Sequence, residues 1–192
     1  MKTRDKILES AKLLFLKHGL EGVKMQMVAD EAGVNKGLLH YYYKTKAKIF
    51  TEVFNQVTSE LLRDVSAVFS DDTLTLDDKI SNIVDVYFNM VSKNRQLPVF
   101  FISEMNRDPE ILMRLGFGEK IKKMLLSAQP ALPSNKPPDF AIHFMITLIS
   151  MSVFPYMVTP LLNELTGDKQ RTELFLNNRK ELVKTTLKNM IK

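Results

Sequence analysis

Lys36, His40 and Tyr41 put a cation, an imidazole and a phenol within a single short stretch, KGLLHYYY. On a helix, Leu39 and Tyr43 lie four residues apart and turn inward together, which leaves those three side chains pointing outward. Such a face can donate to phosphate oxygens and touch base edges in the major groove of a DNA duplex. Other chemistry is thin. The chain has no cysteine, which removes thiol chemistry and disulfides. Its three histidines, His18, His40 and His143, are scattered without HExxH or paired-ligand spacing. Asp71, Asp72, Asp77 and Asp78 lack calcium-loop spacing, and Gly116 and Gly118 are not followed by a phosphate-binding lysine motif. No catalytic residue, metal or cofactor is therefore expected, and the chain is not read as an enzyme.

The flanking residues must hold that face in place. Val28, Ala29 and Ala32 are small or branched apolar residues at helical spacing, so another helix can pack closely across them. Gly33 takes the corner that follows, where a positive φ is expected and a Cβ would clash. Val34 plugs the corner from beneath, and Asn35 caps the next helix with its side-chain oxygen. That helix is barely two turns long and too short to be stable alone. Ile7, Leu8, Ala11, Leu14 and Phe15 form the apolar stripe of a supporting first helix, which Gly19 stops. Lys2, Thr3 and Arg4 at its start are further phosphate candidates. Two short helices joined by a glycine turn and followed by Lys44, Lys46 and Lys48 have the layout of a helix-turn-helix DNA reader. Thr45 is a plausible cap, which puts Lys46 at a helix N-terminus, a poor place for a cation unless an anion lies nearby.

Charge is segregated in the same way. The formal net charge is +5, and residues 1–48 carry all of it, since cations and anions balance over 49–192. A positive field confined to a helix-turn-helix is the electrostatic footprint of phosphate binding.

Residues 3–50 resemble the DNA-binding domain of the TetR (tetracycline repressor) family of transcriptional regulators. The matching pieces are the opening helix TRDKILESAKLLFLKHG, a second helix ending VADEAGV, the recognition segment KGLLHYY, and a Lys-x-Lys entry into a long fourth helix. The resemblance implies that Lys36, His40 and Tyr41 approach bases, that Gly37 permits close approach, and that Gln26 is a further base contact. It assigns Lys24, Asn35, Tyr42 and Lys46 to the DNA backbone. Leu38 and Met25 stand where the family often carries threonine, His40 replaces a tyrosine, and Tyr43 replaces a phenylalanine, adding a hydroxyl that needs a partner or water. The expected function is a ligand-responsive regulator, repressing from palindromic operator DNA as a homodimer. The alternative is a helical small-molecule-binding protein of the same fold without specific DNA recognition.

The rest of the chain is expected to be helical as well. Apolar residues recur at helical spacing over 51–69, 80–91, 111–126 and 174–191, and LPSNKPP over 132–138 is the clearest loop. Phe140 to Asn163 contains no Asp, Glu, Lys or Arg and is long enough to cross a bilayer. His143, Thr147, Ser150, Ser152 and Thr159, with Pro155 and Pro160 to bend or break the helix, argue against a span. A charge-free helix buries its outer face against another subunit instead, so the last two helices of each of two chains are expected to form a four-helix dimer interface. Met and Phe are dense in the middle of the chain, which together with the family resemblance points to a small, largely apolar effector. Phe88, Asn94, Arg95, Phe101, Met105, His143 and Phe144 are its candidate contacts. The effector is expected to tilt the helix that starts near Thr45 and so shift the two readers. The fold class is all-α: residues 1–48 form a three-helix DNA-binding domain, and 49–192 form a larger helical domain for effector binding and dimerisation. The chain opens MKTRDKIL without a following apolar signal region, so a cytoplasmic, membrane-free location is expected.

Overall fold

A computed structural model describes residues 2–192, and no strand occurs among them. Eleven helices follow in order: α1 (Thr3–Gly22), α2 (Met25–Ala32), α3 (Lys36–Tyr42), α4 (Lys46–Phe69), α5 (Leu76–Lys93), α6 (Leu97–Arg107), α7 (Ile111–Arg114), α8 (Phe117–Ala128), α9 (Phe140–Met157), α10 (Thr159–Thr166) and α11 (Lys169–Ile191). The loop expected around LPSNKPP separates α8 and a short 3-10 turn from α9.

The chain divides into two compact units, Met1–Glu60 with Val99–Gly118, and Leu61–Pro98 with Glu119–Lys192. The charge boundary near Lys48 is therefore not the packing boundary. The first unit needs more apolar surface than α1–α3 can supply. Ile7, Ala11 and Phe15 of α1 meet Val28, Ala29 and Leu39, and Ile49, Phe50, Val53, Phe54, Phe100 and Ile111 complete the core. Phe50 lies edge-on to Phe15 with ring centroids 5.3 Å apart, and Phe54 meets Phe101 at 5.1 Å and Phe117 at 5.7 Å. A fully buried ring such as Phe15 or Phe50 contributes about 1.5–3 kcal/mol by leaving water, so α4 and α6 supply a large part of the core on which the three-helix reader rests.

In the second unit α5, α9 and α11 pack pairwise, and α10 lies on α9 and α11. Ile80, Ile83, Val84, Tyr87 and Val91 of α5 are buried with Leu148 of α9 and Leu176, Val183 and Leu187 of α11. Thr75 starts α5 as a reciprocal cap with Asp78, so the acidic pair there serves the helix start. Lys180 and Lys184 of α11 hold Asp85 of α5 at 2.5 and 3.0 Å. Burial pushes the Asp85 carboxyl up, yet the two ammonium groups outweigh it and keep the acid below its ordinary range.

Of the two prolines expected to bend or break the charge-free segment, Pro155 lies inside α9 without ending it, and the break comes just before Pro160. The helix runs to Met157 and yields only at Val158, after which Pro160 sits in the first turn of α10. A proline at 155 removes the N–H that would satisfy the Met151 carbonyl. Arg179 of α11 donates its Nε to that carbonyl at 3.3 Å and replaces the lost bond. Among the described residues α9 is the helix long and apolar enough to cross a membrane, with a mean hydropathy of 1.6 and 33% of its residues buried within the chain.

Candidate nucleic-acid interface

The turn between α2 and α3 is built from backbone hydrogen bonds. Gly33 adopts φ 64° and ψ 35°, its N–H donates to the Asp30 carbonyl at 3.1 Å, and the Val34 N–H reaches back to Ala29 at 2.9 Å. The expected Cβ clash is absent, because an added Cβ would meet nothing within 4 Å. Glycine is needed here for the left-handed conformation alone. Asn35 caps α3 as expected, its Oδ1 accepting the Leu38 N–H at 2.8 Å. Leu39 and Tyr43 are buried, and they pin a seven-residue helix to the core below.

Above that anchor Lys36, Gly37, His40, Tyr41 and Tyr42 are all exposed, Tyr41 at 79%. The Tyr41 and Tyr42 rings meet edge to face with centroids 5.3 Å apart. A Cβ at Gly37 would touch only the Asn35 cap oxygen at 3.4 Å, so crowding from within the chain is slight. Lys24 and Gln26 are exposed at the start of α2. Gln26 donates Nε2 to Asp30 at 2.7 Å and so is partly committed to its own helix. Lys24 and Lys36 have no carboxylate within ion-pair distance among the described residues.

Two other cations are already paired. Thr45 accepts the Lys48 N–H at 3.2 Å and caps α4, leaving Lys46 in its first turn. The anion that this position calls for is supplied by the chain itself: Glu21 Oε2 lies 3.6 Å from the Lys46 ammonium. Arg4 is ion-paired to Glu52. Beside that pair the Tyr43 hydroxyl is buried without a hydrogen-bond partner. Burial, and next the Glu52 carboxylate, push its phenol up to about 12. Sequence spacing could not show either pairing, since both join residues far apart in the chain.

The expected effector contacts are divided between the two units. Phe101 and Met105 belong to the first unit, where Phe101 joins the Phe54 and Phe117 rings. In the second unit Asn94 ends α5, Arg95 pairs with Glu173 at 2.6 Å over the Tyr156 ring, and exposed His143 pairs with Asp139 at 3.2 Å. Phe88 is core, stacked edge-on to Tyr156. Phe144 alone lines a small apolar cavity of about 30 Å³, with Phe69, Ile83, Tyr87, Met145 and Leu148 among its walls. Tyr87 was indistinguishable in sequence from the core stripe of α5. Burial pushes its phenol up to about 12. No group of three or more His, Asp or Glu that could hold a metal occurs among the described residues.

Comparison with known proteins agrees with this geometry. Residues 7–53 match the family of bacterial regulatory proteins, tetR family. The "Probable HTH-type transcriptional regulator YttP" of Bacillus subtilis is 22% identical over 167 residues, spanning 84% of this chain and 81% of that protein. The fatty acid degradation regulator FadR from Bacillus halodurans shares the fold with a TM-score of 0.69 at 15% identity, over 96% of this chain and 95% of its own. FadR from Bacillus subtilis, solved in complex with stearoyl-CoA, does so with a TM-score of 0.65 at 15% identity, over 94% and 97%. The matched segment is the one that carries the capped α3 and its glycine turn, and the fold extends the likeness over the remaining helices: residues 7–53 carry the DNA-binding segment of the tetR family, and the chain shares the fold of the solved transcriptional regulators that resemble it.

Proposed function

We propose that the outward face of α3 reads operator DNA, with Lys36, His40 and Tyr41 at base edges, Gly37 admitting the duplex, and Gln26 adding a base contact from α2. Lys24, Asn35, Tyr42 and Lys46 hold the backbone on either side. The observation that carries this reading is the division of α3 into a buried side, Leu39, and an exposed cationic and aromatic side. One such helix covers few base pairs, so two copies related by a twofold axis read a palindrome and repress from it. The second copy docks on α9 and α11, where Ile142, Ile146, Phe154, Leu174 and Leu182 lie exposed. An apolar face of that extent is better covered by protein than by lipid in a helix that carries Ser150, Ser152 and Pro155, and the regulator works in the cytoplasm beside the chromosome.

The effector enters the cavity walled by Tyr87 and Phe144. At about 30 Å³ the space holds no more than a water or two. A ligand of metabolite size must therefore part α5, α8 and α9, which is what makes it a switch rather than a filler. Helix α4 carries Phe69 of the cavity wall and Ile49 and Phe50 of the reader's core, and so transmits the change. The neighbour solved with stearoyl-CoA supports an apolar class of effector. The test is a set of alanine variants on a selected operator and on a scrambled duplex at several salt concentrations. Lys46→Ala weakens both alike and reduces the salt slope by about one, whereas Lys36→Ala and His40→Ala change the preference between them. Uniform effects from all three contradict the assignment.

A further inference from the structure

We propose that Glu21 competes with the DNA backbone for Lys46, that Glu104 of α6 is the positioning residue that fixes the turn carrying it, and that Arg107 weakens its hold on Lys46 by sharing the carboxylate. The proposal rests on the reading that Lys46 contacts phosphate. Helix α1 is turned sharply at Gly19, with φ 68° and ψ 175°, so Leu20 and Glu21 leave its axis. Glu104, only 4% exposed, fixes that turn by accepting the Leu20 N–H at 2.9 Å. Its carboxylate lies so close that a Cβ on Gly19 would be 3.1 Å from Oε1. The other Glu104 oxygen is paired with Arg107. Arg107 in turn lies 3.1 Å from Glu21, and the second Glu21 oxygen faces Lys46.

The chain of contacts therefore runs from a buried carboxylate outward to the first turn of α4. Glu21 itself is 73% exposed, and an exposed pair of this kind adds little to folding stability. Its weight falls on binding. At a helix N-terminus beside a lysine, a carboxylate occupies the place a phosphate oxygen would take. DNA must displace it, and while it stays nearby it repels the duplex. Arg107 moderates this by sharing the carboxylate, so that Lys46 is held in position without being fully neutralised.

The experiment measures binding of the full-length protein to a mixed-sequence duplex across a salt series. Glu21→Gln tightens binding and steepens the salt slope by about one, roughly a three- to fourfold change in affinity across a fourfold range of salt. Lys46→Gln weakens binding and flattens the slope by a like amount, and in that background Glu21→Gln gains clearly less than it does in the parent, because only the direct repulsion is left to remove. Arg107→Gln weakens binding when Glu21 is present and not in the Glu21→Gln protein, with melting curves confirming that each variant is folded. If Lys46→Gln weakens binding while Glu21→Gln changes nothing, the competition is refuted and the phosphate contact stands. If Lys46→Gln changes nothing, the contact itself is refuted. An equal gain from Glu21→Gln in both backgrounds reduces Glu21 to a distant charge and overturns the proposal.

Discussion

Tyr43 closes the recognition segment with a hydroxyl that the fold buries beside Arg4 and Glu52 without a hydrogen bond of good geometry to either. A buried donor without a partner carries its full desolvation cost, so Tyr43→Phe should leave stability unchanged or raise it by up to about 1–2 kcal/mol in denaturant melts. A loss larger than that means the hydroxyl is bonded in solution. The raised phenols of Tyr43 and Tyr87 make a second prediction. In the unfolded chain each ionises near its ordinary 10.0, while in the fold each holds its proton to about 12. The unfolded state therefore loses protons first as pH rises, and stability present below pH 10.0 drains away toward 12. Stability curves of Tyr43→Phe and Tyr87→Phe should be flatter than the parent in that window, and identical slopes would contradict the burial argument. Ser152, also buried and unpartnered in α9, should tolerate alanine with no loss of stability.

Among the elements, the α2–α3 turn was legible and α9 was not, for physical reasons that differ. Gly33, Asn35, Leu39 and Tyr43 act over a few residues through backbone conformation, capping and helical period, which sequence spacing encodes directly. The continuation of α9 through Pro155 depends on Arg179, a donor from another helix that no local rule places there. The pairing of Lys46 with Glu21, and the cavity behind Tyr87, were hidden in the same way. Each reading has its own measurement. Gly33→Ala should cost about 1–2 kcal/mol from the left-handed conformation alone, and Gly33→Asn less, since nothing crowds the site. Equal losses would mean that a steric conflict exists after all. Arg179→Met should cost about 1–3 kcal/mol by orphaning the Met151 carbonyl, and clearly less in a Pro155→Ala protein whose own N–H can take over. A double-mutant cycle with no coupling would dismiss that repair.

For the whole molecule, the proposed reading of a palindrome depends on two copies. The apolar residues left on α9 and α11 are exposed in one chain, so Leu182→Glu should break the dimer without disturbing the core, and light scattering should report the mass of a single chain. A dimeric Leu182→Glu protein would place the interface elsewhere. The central claim, that paired α3 helices read a duplex, is tested most directly by selecting the sequences this protein binds from a random pool. The account predicts an inverted repeat whose half-site centres lie ~34–36 Å apart or a multiple of that, with specificity within each half-site lost in Lys36→Ala and His40→Ala. Enrichment of no common sequence, or of one that both variants still recover unchanged, would contradict it.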